Sequence, residues 1–278
     1  DQDVNVIDTT GKVIEKLGEN EVVTDIDWEA DRLSLAAMGT RYGLDNPIGT
    51  FRSGADLKNL RGLSLDSLQR PVDAQWADLD MDGKDDLILA EFGNNLGTLS
   101  WFQNKGKNDF EQHILFPDDG SVKVEVADIN EDGRPDIVAL MGNGDEGIDL
   151  YLNQGEASFK RQRLLRFPPT NGSTYFELVD FDQDGKLDIL YVNGDNGDYP
   201  PIAKFHHGIR LFRNTGDLSF TETFYIPLNG GYKASAHDFD LDGDLDIVSV
   251  AYHPDFRNPP LESFVYWENQ GNNIFTGS

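Results

Sequence analysis

Four nonapeptides concentrate acidic side chains at a spacing suited to holding a hard cation. They are DLDMDGKDD at 78–86, DINEDGRPD at 128–136, DFDQDGKLD at 180–188 and DFDLDGDLD at 238–246. All fit D-x-[DN]-x-D-G-x-x-D. Side-chain oxygens at positions 1, 3, 5 and 9 can converge on one point. These are Asp78, Asp80, Asp82 and Asp86; Asp128, Asn130, Asp132 and Asp136; Asp180, Asp182, Asp184 and Asp188; Asp238, Asp240, Asp242 and Asp246. Position 7 is expected to add a main-chain carbonyl, from Lys84, Arg134, Lys186 and Asp244, so a basic side chain there is no obstacle. Ca²⁺ takes about six to eight oxygen ligands, and the four loops predict four Ca²⁺ sites. Glycine at position 6 permits the sharp reversal that a side chain would hinder.

The first half of each loop matches the spacing of an EF-hand loop. The second half departs from it, because Asp stands at position 9 and β-formers follow instead of a helix. An apolar run trails every loop, at 87–90, 137–140, 189–192 and 247–250. A second apolar segment lies at 98–102, 148–152, 209–212 and 264–267. It ends in an Asn turn (Asn104, Asn153, Asn214, Asn269) with Gly two residues on. Phe110, Phe159, Phe220 and Phe275 then open another strand, and a further stretch such as 122–127 leads into the next loop. The loop starts are 50, 52 and 58 residues apart. Four short strands per repeat of about 50 residues predict the blades of an all-β propeller, each a four-stranded antiparallel sheet.

A weaker fifth copy begins at Asp25-Ile26-Asp27-Trp28-Glu29, where Ala30 replaces the glycine and Leu33 the last Asp. It reads as a blade whose metal loop has decayed, with its strand 33–37 retained. Residues 1–20 read as a hairpin, 4–7 and 13–17. The expected organisation is one propeller domain over 1–278. It has a partial blade at 1–24, a degenerate blade at 25–77, and calcium-loop blades at 78–127, 128–179, 180–237 and 238–278. The hairpin could complete the last blade of a five-bladed ring, or the chain could be part of a ring of about six to eight blades. The second reading leaves no spare strand.

The motif with its trailing apolar run resembles the FG-GAP/VCBS repeat of integrin α-subunit propellers and of many secreted bacterial proteins, over residues 25–278. The chain also looks like a bacterial VCBS group sharing Arg70-Pro71-Val72-Asp73, Gly194-Asp195-Asn196 and His207-Gly208. The resemblance implies a calcium-binding propeller and a secreted, extracellular or periplasmic location. It does not imply a reaction.

In such a blade the metal loops join the first and second strands and share one face. The loops between second and third strands then lie on the opposite face. They are short at 93–97 and 142–147, and long at 193–208 and 252–263. Long loops on a rigid scaffold carry binding. Three residues before each metal loop stand Gln75, Glu125, Glu177 and Ser235; five before stand Asp73, Lys123, Tyr175 and Lys233. They alternate with apolar Ala74, Trp76, Val124, Val126, Phe176, Leu178, Ala234 and Ala236, so the polar set is expected to line a central channel. The candidate ligand-binding residues are Asp73, Lys123, Glu125, Tyr175, Glu177, Tyr199, His206, His207, Lys233 and His253.

Several features point elsewhere and are set aside. Gly142-Asn143-Gly144-Asp145-Glu146-Gly147 matches G-x-G-x-x-G but joins two strands, so no helix N-terminus follows to cradle phosphate. Asn171-Gly172-Ser173 is a glycosylation sequon of use only in a eukaryotic secretory host. The adjacent His206 and His207 read as loop residues facing solvent rather than as transition-metal ligands.

With 50 Asp and Glu against 23 Lys and Arg, the formal charge is −27, which excludes nucleic acid and anionic membrane surfaces as partners. The chain has no cysteine, hence no disulfide framework or thiolate metal site. It has no apolar run long enough to insert in a membrane. It begins with Asp1, as expected of a mature or trimmed piece flanked by other domains in a longer protein. The expected role is a calcium-stabilised, non-catalytic recognition or scaffold domain with a carbohydrate or protein ligand at the face opposite the calcium loops. One alternative is a Ca²⁺-dependent polysaccharide lyase, with Tyr175, His206, His207, His237 or His253 as base and Lys123 or Lys233 neutralising a uronate. The other is a purely structural module of a larger secreted protein.

Overall fold

A computed structural model describes residues 4–7, 13–17, 22–29, 32–38, 48–54, 63–93, 95–156, 158–195, 203–252, 254 and 263–278. The chain forms two compact units, one of residues 1–126 with 152–160 and the other of 127–151 with 161–278.

Every regular element among the described residues is a strand. A hairpin of β1 (Val4–Ile7) and β2 (Val13–Leu17) forms a two-stranded sheet of its own. Five four-stranded sheets follow, each a meander in chain order. The first comprises β3 (Val22–Glu29), β4 (Arg32–Met38), β5 (Ile48–Gly54) and β6 (Ser64–Gln69). The second comprises β7 (Pro71–Ala77), β8 (Asp86–Glu91), β9 (Leu99–Gly106) and β10 (Asp109–Phe116). The third comprises β11 (Ser121–Ala127), β12 (Asp136–Met141), β13 (Gly147–Asn153) and β14 (Phe159–Arg166). The fourth comprises β15 (Ser173–Val179), β16 (Asp188–Asn193), β17 (Gly208–Asn214) and β18 (Phe220–Pro227). The fifth comprises β19 (Gly231–His237), β20 (Asp246–Ala251), β21 (Phe264–Asn269) and β22 (Phe275–Gly277). This is the all-β, multi-blade propeller fold that the repeat predicted. The fifth sheet supplies its own fourth strand, and β2 pairs only with β1 among the described residues.

Each of the last four sheets opens one strand before its metal loop, so sheet and sequence repeat are offset by one strand. The strand that follows the loop is the most apolar. All six residues of β8, of β12 and of β16 are buried, which requires cover on both faces of the sheet. Each Leu, Ile or Val so buried contributes about 1.5–3 kcal/mol. In the unit of residues 127–151 and 161–278, Leu190, Val192, Leu211, Ala234, Ile247 and Val265 share one core. In the other unit, Phe51, Ala74, Trp76, Leu87, Leu89 and Phe102 do so, and Trp76 Nε1 donates to Ser34 Oγ (2.8 Å).

The segment Asp25-Ile26-Asp27-Trp28-Glu29 corrects the sequence reading. It is not a decayed metal loop but part of strand β3, paired through Glu29↔Arg32 in a tight hairpin with β4. Two residues there replace the nonapeptide. A register shift near the start of four inner strands fixes the equivalence: it falls between Val23 and Asp25, Pro71 and Asp73, Ser173 and Tyr175, and Gly231 and Lys233. Asp25 thus takes the register position of Asp73, and Asp27 that of Gln75.

Candidate metal centres and the opposite loops

The four metal loops share one backbone. Glycine at position 6 has a left-handed φ of 86°, 85°, 92° and 102° at Gly83, Gly133, Gly185 and Gly243. Position 4 is left-handed too, although no glycine stands there: Met81, Glu131, Gln183 and Leu241 have φ of 59°, 59°, 59° and 64°. A run of two such turns aims successive side chains inward. The first Asp is locked by accepting main-chain hydrogen bonds from positions 5 and 6. Asp82 N and Gly83 N donate to Asp78 (2.9 and 2.8 Å), and Asp132 N and Gly133 N to Asp128 (2.9 and 2.7 Å). The same pair of bonds reaches Asp180 (2.9 and 2.9 Å) and Asp238 (3.1 and 3.2 Å).

In three loops, positions 1, 3 and 5 each bring a carboxylate oxygen within 4.8 Å of the others. These are Asp78, Asp80 and Asp82; Asp180, Asp182 and Asp184; and Asp238, Asp240 and Asp242. In the remaining loop Asn130 takes position 3, and its Oδ1 accepts from Asp132 N (3.1 Å), as Asp80 and Asp240 accept from Asp82 N and Asp242 N. The donors are oxygen only, largely anionic and crowded together, so the residues present fit a hard divalent cation.

Position 9 plays a part the sequence did not reveal. Asp86, Asp136, Asp188 and Asp246 are fully buried. Asp188 accepts from Phe181 N (3.2 Å) and from Asn214 N (2.8 Å). Asp86 does the same with Leu79 N and Asn104 N, and Asp246 with Phe239 N and Asn269 N. The Asn then closes the turn, its Oδ1 accepting from Gly106, Gly155, Gly216 or Gly271 at 2.9–3.1 Å. The Asn-x-Gly turn, read from sequence as a mere reversal, is therefore a strut of the metal loop. Burial pushes the Asp188 carboxyl up to about 6, against the bond from Asn214 N. Burial acts likewise on Asp246, but the Asn269 N–H and the Tyr266 hydroxyl (2.8 Å) outweigh it and hold that carboxyl below its ordinary range.

Position 7 divides the loops. Lys84 pairs with Asp82 and Arg134 with Asp132. Lys186 lies 3.0 Å from Asp184, and Arg213 of β17 reaches both Asp182 and Asp184. The side-chain bond from Lys84 lowers the Asp82 pKa, and the N–H and side chain of Lys186 lower that of Asp184. Asp244 offers no cation. Desolvation and the neighbouring carboxylates raise the pKa of Asp240 and of Asp244.

The polar residues of the inner strands act between strands. Asp73 Oδ2 accepts from Val124 N (2.7 Å), and Gln75 Oε1 from Val126 N (2.8 Å). Glu177 accepts from Ala236 N (3.2 Å) and from Ser235 Oγ (3.3 Å). Lys123 pairs with Glu125 (3.2 Å), and Lys233 Nζ lies 4.9 Å from the centre of the Tyr175 ring. Residues expected to face a ligand thus also join one inner strand to the next. The apolar alternation holds, with Ala74, Val124, Phe176 and Ala234 buried.

The opposite loops are best described around β15–β20. Gly194 N and Asp195 N donate to Gly172 O (2.8 and 3.1 Å). A Cβ on Gly194 would stand 2.1 Å from Gly231 N, so only glycine fits that approach. Beneath lies a buried polar network missed in the sequence. Glu146 accepts from Ser173 N (2.9 Å) and Oγ (2.6 Å), Ser173 meets the Tyr191 hydroxyl (2.6 Å), and Asn171 Nδ2 donates to that hydroxyl (2.7 Å). Burial raises the Tyr191 pKa. The sequon asparagine is therefore engaged in the interior.

His207 is buried, correcting its reading as a solvent-facing residue, and desolvation lowers its pKa to about 4. Neither of its ring nitrogens has a hydrogen-bond partner among the described residues. His206 Nε2 meets Thr170 O (3.1 Å), and the two imidazoles stand edge to face at 5.0 Å. His237 packs against Phe239 beside the metal loop. Tyr199 and His253 lie outside the described residues. Sequence reasoning also missed an exposed aromatic group on this side. Phe205 is fully exposed, and Tyr232 and Tyr252, 55% and 64% exposed, have ring centres 6.2 Å apart.

Residues 78–139 and 128–191 match the FG-GAP-like repeat family. A 187-residue stretch is 28% identical to Cartilage acidic protein 1 of Xenopus tropicalis, over 62% of this chain and 27% of that protein. The chain thus spans about a quarter of that relative's length. A Bombyx mori GH32 beta-fructofuranosidase in complex with sucrose aligns with a TM-score of 0.46 and 11% identity, over 90% of this chain and 60% of that one. No helix among the described residues is long and apolar enough to cross a membrane.

Proposed function

We propose that the chain is a calcium-stabilised propeller module that works outside the cytoplasm as a non-catalytic recognition or scaffold domain. The observation that carries this reading is one loop backbone repeated four times, with crowded carboxylates in three copies and an Asn variant in the fourth. Asp78, Asp80, Asp82 and Asp86, with their counterparts in the other loops, would hold the ions. Bound Ca²⁺ supplies charge neutralisation and cross-links the loop. The chain's own residues position the oxygens. At millimolar calcium and a Kd near 0.1 mM, each site stabilises the fold by roughly 1.4 kcal/mol. Four independent sites give about 6 kcal/mol, comparable to a domain's whole stability. Melting with EGTA and with calcium tests this, and an unchanged midpoint sinks it.

The ligand we assign is a carbohydrate at the face opposite the metal loops. Exposed Tyr232 and Tyr252 offer flat apolar faces with hydroxyl edges, a chemistry that suits sugar rings. The charge of −27 disfavours polyanions. Binding of the chain to a glycan array, compared with Tyr232→Ala/Tyr252→Ala, tests the assignment. Equal binding by both proteins, or capture of protein ligands alone, overturns it.

A further inference from the structure

Resting on the calcium reading, we infer that the residue at position 7 ranks the four loops in calcium affinity, with 238–246 the tightest site and 180–188 the weakest. Three loops carry their own counter-ion. Lys84, Arg134 and Lys186 each fold back onto the position 5 carboxylate two residues earlier. That carboxylate is one of the oxygens a metal needs. An entering cation must therefore displace an ammonium or guanidinium already paired there. Loop 180–188 has two such competitors, because Arg213 also contacts Asp182 and Asp184.

Loop 238–246 is the opposite case. It holds five carboxylates and no basic residue. Asp244 occupies position 7, and its Oδ1 is shielded from solvent with no hydrogen-bond partner among the described residues. Among the described residues no cation pairs with these carboxylates, so an ion arriving there displaces none. One unit charge about 4 Å from a divalent ion, screened as in bulk water, changes affinity by roughly five- to thirtyfold. The order does not follow from the spacing of the ligands, which is the same in every loop. It follows from the charge at position 7 and, in loop 180–188, from Arg213 as well.

Calorimetric titration of the EGTA-stripped full chain with calcium chloride is the test. The wild type should show one tight step ahead of weaker ones. Asp244→Lys should remove the tight step, and Lys186→Met should tighten one of the weak ones by roughly fivefold or more. In EGTA, Asp244→Lys should also melt above the wild type, because the added cation relieves like-charge crowding. Four equal steps, or a tight step unmoved by Asp244→Lys, overturn the inference while leaving calcium binding intact. Absence of both calcium heat and a calcium-dependent melting shift sinks the calcium reading itself. Should Asp244→Lys fail to fold by circular dichroism, Lys186→Met decides alone, and no tightening overturns the ranking.

Discussion

Loops 180–188 and 238–246 have the same pattern and backbone, yet they sit in different surroundings. They touch, through Gln183 Nε2 donating to Gly243 O (2.8 Å). In the first, Phe181 at position 2 is buried against Phe224 and Phe275, and Lys186 and Arg213 answer the carboxylates. In the second, Phe239 is 45% exposed and no cation among the described residues answers. The strands behind them differ in the same sense. All of β16 is buried, whereas Val250 of β20 and Phe264 of β21 are exposed. One loop is held by packing and internal ion pairs. The other must rely on what it binds. A shared motif fixes the backbone but not the source of its stability.

The largest effect should come from the anchoring rings. Phe181→Ala should cost about 3–5 kcal/mol, and Phe239→Ala less than about 1 kcal/mol, by urea unfolding in EGTA. Equal losses would break the comparison. Next comes position 9. Asp188→Ala strands the buried N–H groups of Phe181 and Asn214 and should cost about 2–4 kcal/mol. Asp182→Ala, at the exposed position 3, should cost far less in the same assay.

Acidity separates the loops in a third way. Asp188 has a pKa raised to about 6, above its unfolded value. In EGTA its contribution to stability is therefore complete below pH about 3.8 and is lost as pH rises through about 6. Calcium reverses the sense, because it requires the ionised form. Loop 180–188 should weaken in calcium affinity as pH falls through about 6, whereas at position 9 of loop 238–246 Asp246 is held low, so acid weakening there is left to Asp240, whose pKa is raised. Calcium titrations at pH 7 and pH 5 read this directly, and parallel weakening of every step would contradict it. The smallest effect is at the left-handed turn. Leu241→Gly should stabilise by roughly 1 kcal/mol, since a side chain there is strained. Gly243→Ala should destabilise by a similar amount although nothing lies within 4 Å to clash.

Much of the fold was legible in the sequence because its signals are local. The apolar runs after each loop became β8, β12, β16 and β20, and the Asn turns fell at the strand ends. The hairpin at 4–7 and 13–17 appeared as read. The misreadings came from partners outside the local motif. Asp25-Ile26-Asp27 looks like the start of a metal loop, but pairing with β4 makes it strand. Asn171 is set aside with its sequon, and Tyr191 draws it inside. Glu146 sat inside a discarded glycine pattern, and Ser173, 27 residues away, makes it the base of a buried network.

The sequence by itself determined where oxygens converge, because ligand spacing and glycine placement act within nine residues. It also determined the strand order, because each repeat carries its own alternation and turns. Only the tertiary structure decided which carboxylates are buried, which are answered by a cation and which stand open. Those properties depend on desolvation and on charges such as Arg213 that arrive from another strand. Four copies of one motif thereby became unequal sites.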